Sequence, residues 1–191
     1  MVENVQPTSE SVEGQGQLGT LLLLVDVQNL FYSARNAFGS DARVDFKKIS
    51  DEALGGRKFK RIIRKAYFAI RPGEKPNAFI SALQRLSYEV ELVSIRSHEQ
   101  GGSSATNIDV LLATDALNIR FSGKHPDVVC IASGDSDFLP VYQALIERGV
   151  VVEVLSFPAS LSTSVEETAH KVVRLNASHL FETYTNTKEE K

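Results

Sequence analysis

Four aspartates, Asp26, Asp109, Asp135 and Asp137, have the types and spacing that could do chemistry in this chain. Asp135 and Asp137 stand two residues apart in Ser133-Gly134-Asp135-Ser136-Asp137-Phe138, directly after the apolar run Val128 to Ala132. Carboxylates so close repel each other unless a proton or a cation lies between them. Helix capping explains one of them, because an Asp in the first turn satisfies free N–H groups and suits the helix dipole. It explains the second less well. Asp26 repeats the pattern at the end of Leu21-Leu22-Leu23-Leu24-Val25, and Asp109 opens the run Ile108 to Asp115. A cluster of carboxylates suits Mg²⁺ or Mn²⁺, hard cations that favour oxygen ligands and keep several waters. The chemistry such a site supports is metal-assisted attack of water on a phosphodiester. Zinc is disfavoured, since there is one Cys and the four His show no ligand spacing. There is no Gly-rich loop of the Walker kind and no nucleophile elbow.

These acids need elements to hold them. Val128–Ala132 and Leu21–Asp26 are apolar runs of the length and β-branched or Leu-rich character of strands buried on both faces. Further strands are expected at 65–70, 88–95 and 150–155, with a short edge strand at 172–175. Between them, helical patterns fall at 29–37, 44–54, 78–86, 109–121, 138–148 and 162–170. Strand and helix alternate throughout, which gives an α/β class with a mostly parallel central sheet flanked by helices. In such a sheet ligands collect outside the carboxyl ends of the strands, where Asp26 and Asp135 fall. Asp115 follows Asp109 by six residues, which at roughly 100° each puts them about 120° apart around the helix. Asp109 is therefore ranked first, and Asp115 serves from the flank or faces solvent. Tyr32, Ser33 and Asn36 share the helix face of Asn29.

The segment Arg57-Lys58-Phe59-Lys60-Arg61-Ile62-Ile63-Arg64-Lys65 carries six basic residues in nine. It reads either as a solvated approach to the strand at 65–70 or as a rim contacting phosphates, where Lys and Arg supply sequence-independent affinity. Arg57, Lys58, Lys60 and Arg61, with Tyr32, are the nucleic-acid-binding candidates. The formal net charge is −3, but residues 1–17 hold three Glu and no Lys or Arg, which leaves the body 18–184 electrically balanced. If the acids share a metal-filled cleft, the remaining surface is net positive, so the acidic composition does not argue against a nucleic-acid partner.

The chain of 191 residues is expected to form one domain over 18–184, with tails at 1–17 and 185–191. The first tail is Glu-, Gln-, Gly- and Ser-rich and reads as disordered. The loop from His98 to Asn107 is a Gly- and Ser-rich lid or linker. Leu21–Val25 is far too short to cross a bilayer, and Glu3, Glu10 and Glu13 stand where a secretory signal is basic. The lone Cys130, inside an expected strand, fits a reducing compartment such as the cytoplasm.

Three blocks then resemble a known family. Val25-Asp26-Val27-Gln28-Asn29-Leu30, Ile108-Asp109-Val110 with Ala113-Thr114-Asp115-Ala116-Leu117, and Ser133-Gly134-Asp135-Ser136-Asp137-Phe138-Leu139-Pro140 look like the signature blocks of NYN domains. The LabA-like subgroup, within the PIN-like nuclease superfamily, is the one most resembled. The resemblance runs over roughly residues 18–182. It departs at Thr106-Asn107, where many relatives have Lys-Gly. It implies a PIN-like, Rossmann-like three-layer fold and a Mg²⁺- or Mn²⁺-dependent ribonuclease. Asp26, Asp109, Asp135 and Asp137 would handle the metal, with Asn29 in support by hydrogen bonding. RNA is the implied partner. A homo-oligomer or a protein partner is left open, as is a non-catalytic regulator that keeps the fold. A phosphatase using Asp26 as nucleophile would want an acid two residues on, and Gln28 stands there.

Overall fold

The computed structural model describes residues 18–70, 78–94, 96–97, 103–104, 108–118 and 125–182. The expected tails, the turn around Pro72 and Pro76, and most of the loop from His98 to Asn107 lie outside these residues. Six parallel strands form the central sheet: β1 (Leu18–Asp26), β2 (Phe59–Ile70), β3 (Glu89–Ser94), β6 (Val128–Ala132), β7 (Val151–Ser156) and β8 (Lys171–Arg174). Two short strands, β4 (Arg96–Ser97) and β5 (Ser103–Ser104), pair antiparallel in a separate sheet. The helices are α1 (Val27–Phe38), α2 (Phe46–Leu54), α3 (Ala78–Arg85), α4 (Ile108–Leu117), α5 (Leu139–Ile146) and α6 (Thr163–Thr168).

The order across the sheet is β3-β2-β1-β6-β7-β8. The chain therefore winds outward from β1 through β2 and β3, returns through α4, and winds the other way through β6, β7 and β8. That reversal makes the gap between β1 and β6 a topological switch point, where loops at the carboxyl ends diverge and leave a crevice.

The Leu run of β1 explains why this strand is central. Leu21 to Val25 are at most 1% exposed, and successive side chains enter opposite layers. Leu21, Leu23 and Val25 join Phe46, Ile49 and Ala53 of α2, Leu30 of α1 and Leu83 of α3. Leu22 and Leu24 join Ile108 and Leu112 of α4, Tyr142 and Leu145 of α5, and Val165 of α6. Helices thus cover both faces, as the apolar runs required.

Two expected boundaries are corrected. The second strand begins at Phe59, six residues before Lys65, because Phe59 and Ile63 supply buried anchors between the basic residues. α1 begins at Val27 with no intervening turn, because Asp26 itself serves as its N-cap. Among the described residues, no helix is long and apolar enough to cross a membrane.

Candidate functional site

The switch point carries the acids. Val25 of β1 lies opposite Ala132 of β6, so Asp26 and the turn Ser133-Gly134-Asp135 emerge side by side at the same edge. Asp26 is 7% exposed, and its Oδ1 accepts the Asn29 N–H at 2.9 Å. A cap of this kind fixes a carboxylate in place while one oxygen remains available.

Asp135 is held by the same device. It caps the 3-10 turn Ser136–Phe138, accepting the Asp137 N–H at 3.0 Å, and Phe138 anchors that turn in the core. Gly134 is required by space: a Cβ there would stand 2.3 Å from the Ser160 carbonyl and 2.4 Å from Ser156 Oγ. Asn29 draws the pieces together, its Oδ1 accepting from the Gly134 N–H and the Ser160 hydroxyl, each at 3.4 Å. The Gly134 carbonyl accepts the Ser162 N–H at 3.1 Å. Ser156 and Ser160, paired at 3.0 Å between hydroxyl oxygens, were not singled out from sequence. Their signal is positional, because the turn after β7 must share the rim with the ends of β1 and β6.

Asp109 reaches the edge from the first turn of α4, whose Ile108, Leu112 and Ala116 are buried over the sheet. The acids then act on one another. Burial pushes the Asp26 carboxyl up to about 6, opposed by the N–H groups of Asn29 and Gln28 and reinforced by the charges of Asp109 and Asp135. Burial also raises Asp109, with the charges of Asp135 and Asp137 adding to it. Asp137 is exposed at the outer lip.

No three His, Cys, Asp or Glu side chains among the described residues form a finished ligand set. The four acids instead share one electrostatic neighbourhood, and none of them has an ion-pair partner among the described residues. Clustered, partly buried carboxylates without a cationic side chain are the donor chemistry that a hard divalent ion fits.

Asp115 is ion-paired: Lys65 Nζ at 2.8 Å and the Tyr67 hydroxyl at 2.7 Å hold it against β2. The 120° offset from Asp109 places it there, and Lys65 neutralises its charge.

Arg57 is tied into the fold. Its guanidinium grips Glu153 of β7 through two hydrogen bonds of 2.6 and 2.7 Å and also donates to the Ala53 and Leu54 carbonyls. It is a clamp between α2 and the sheet, not a rim. Lys58, Lys60 and Arg61 are exposed, but they sit where β2 begins, with Phe59 opposite Leu18. Tyr67 is the β2 residue opposite Asp26, so at ~3.3 Å per residue the basic run starts about 30 Å from the acids. Tyr32 is 64% exposed on α1, close to the acidic edge, beside a cavity lined also by Val27 and Gln28.

The family model described as the NYN domain matches residues 20–176. The chain therefore belongs to the NYN domain family, and its all-parallel sheet with helices on both faces is the fold expected of the PIN-like class. It is also similar to the crystal structure of a protein of unknown function from Vibrio parahaemolyticus, with a TM-score of 0.70 and 25% sequence identity over 85% of this chain and 96% of that one. No curated protein matches it.

Proposed function

We propose that this protein is a Mg²⁺- or Mn²⁺-dependent ribonuclease that hydrolyses RNA phosphodiester bonds at the Asp26–Asp109–Asp135–Asp137 cluster. The observation that carries this reading is the convergence of Asp26, Asp109 and Asp135 on the β1/β6 switch point with no cationic side chain paired to them among the described residues. A surface evolved only to bind RNA gains nothing from clustered charges of the phosphate's own sign, whereas a metal site requires them. Family membership supports the nuclease class, and the three Asp-bearing blocks support placement in the LabA-like subgroup.

Each residue's contribution follows from its setting. Asp26 and Asp135 would hold the ion from two capped, rigid positions, and Asp109 would approach from α4 across the crevice. Asn29 keeps the Ser133-Gly134 turn and the Ser160 turn in register, so that Asp135 cannot drift from Asp26. A bound cation would lower the pKa of its water and neutralise charge on the leaving oxygen. Asp137, exposed at the rim, would orient the incoming water. RNA is the partner this reading requires, and the lone buried Cys130 is consistent with a cytoplasmic setting.

The experiment is a cleavage assay on single-stranded and structured RNA and on matched DNA, with Mg²⁺, with Mn²⁺ and with EDTA. Metal-dependent cutting of RNA is expected. Purified protein inert on every RNA with both metals would replace this reading with the non-catalytic regulator.

A further inference from the structure

A second feature lies two residues from Asp26, on the opposite layer of the sheet from Asp109. A cavity of about 450 Å³ opens there, within the size range of small-ligand pockets. Its near wall is the first two turns of α1, where Gln28 and Tyr32 stand one turn apart on one face, with Phe31 beside them. Its floor is Phe68, the residue after the Tyr67 that faces Asp26 across the β1–β2 pair. Phe79 closes the far side at 5.6 Å from the Phe68 ring centre, and Phe181 forms the outer lip.

Three observations together specify an occupant. The lining is made of flat rings set at angles, with Phe31 and Tyr32 edge to face at 5.4 Å, and rings present π-faces that any aromatic guest can stack on. Tyr32 and Phe181 are 64% and 50% exposed, so aromatic surface is offered to solvent at the mouth and not sealed in the core. Polar groups in the lining are few: the Gln28 amide, which both donates and accepts, the Tyr32 hydroxyl, and the Arg43 guanidinium, which is already bonded to the Ala42 carbonyl and contributes positive charge. A lipid tail would have no use for that amide. An aromatic ring system with hydrogen-bonding edges, carried on an anionic backbone, matches all three.

We propose that this cavity binds one unpaired nucleobase of the RNA whose phosphate lies at the acid cluster, with Tyr32 stacking on the base and Gln28 meeting its edge. The proposal rests on the ribonuclease reading for its choice of RNA, and it makes the site selective for single strands, because a base must leave its stack to enter. Tyr32 thereby becomes a determinant of which bond is cut.

The test uses a single-stranded RNA hexamer carrying one 2-aminopurine, added with Mg²⁺ to full-length protein bearing Asp135→Asn so that the RNA stays intact. Stacking on Tyr32 is expected to quench the fluorescence on binding. Tyr32→Leu should weaken binding about tenfold and abolish the quench, while Tyr32→Phe, which keeps the ring, should preserve both. Tyr32 is exposed, so neither variant threatens the fold. Binding without quenching, or Tyr32→Leu binding as tightly as the parent, overturns the proposal, as does native mass spectrometry finding the cavity filled by a lipid or peptide. The two readings separate cleanly. Quenching by a protein whose wild type never cuts RNA leaves the base pocket standing and removes the nuclease. Wild-type cutting that neither quenches nor responds to Tyr32→Leu does the reverse.

Discussion

Asp26 and Asp135 stand at the carboxyl ends of neighbouring parallel strands, each capping the element that follows it. Capping and metal handling are therefore not rival explanations here. The cap holds each carboxylate at the rim, and the rim brings the two within each other's field.

Removing one of these charges should stabilise the metal-free protein. Asp26 has its carboxyl raised from 3.8 to about 6, so its contribution to stability is fully present below about pH 3.8 and is lost as the pH rises through 6. A shift of that size corresponds to about 3 kcal/mol. Asn is as good an N-cap as Asp, so Asp26→Asn keeps the α1 cap. Denaturant unfolding in EDTA should show the variant gaining on the wild type from about pH 4 to about pH 6 and the difference levelling off above that. Asp109, also raised, is present in both proteins and so does not enter the difference. A difference independent of pH would contradict the burial of this charge. Mn²⁺ at millimolar concentration should raise the melting temperature of the wild type more than that of the variant.

Gly134→Ala tests the tightness of the turn. The added methyl would meet the Ser160 backbone, which cannot swing aside as a side chain can. A cost of about 1–3 kcal/mol is expected, as for overpacking elsewhere. Asp135 should also be displaced from Asp26, so metal-induced stabilisation should fall further than the loss of stability alone explains. Unchanged thermal and metal responses would mean that the turn is looser than its contacts indicate.

Arg57 and its basic neighbours should part company under mutation. Arg57→Ala leaves Glu153, 5% exposed, without its partner, at a cost of about 3–5 kcal/mol in unfolding free energy. The triple change Lys58→Ala, Lys60→Ala, Arg61→Ala should alter stability by less than about 1 kcal/mol and leave cleavage of short RNAs unchanged. Slower cutting of a hexamer by the triple variant would show that the amino end of β2 does reach the substrate.

How far the sequence carried the reading differs by feature. The Leu run of β1 and the β-branched run of β6 were legible because strands buried on both faces leave almost no choice of residue. Asp26 and Asp135 were legible because they end those runs. The start of β2 was not, since Lys60, Arg61, Arg64 and Lys65 hide the anchors Phe59 and Ile63, and an exposed strand end tolerates long basic side chains. The role of Arg57 depends on Glu153, 96 residues away, and no local pattern reveals such a pairing. The setting of Asp115 is hidden for the same reason, because its partners Lys65 and Tyr67 belong to another element. The cavity beside Tyr32 gathers residues from α1, α2, β2, α3 and the segment around Phe181, which only the fold brings together.

The central claim is that the acid cluster cuts RNA with a divalent metal, and Asp135→Asn tests it most directly. The substitution is nearly isosteric and removes one charge, and Asn can still cap the 3-10 turn, so the fold should persist. Single-turnover cleavage of a labelled RNA in Mn²⁺ should be abolished, while RNA affinity holds or improves because one phosphate-repelling charge is gone. Full activity in Asp135→Asn, or a wild type that binds Mn²⁺ at the cluster yet leaves every RNA intact, would contradict the account.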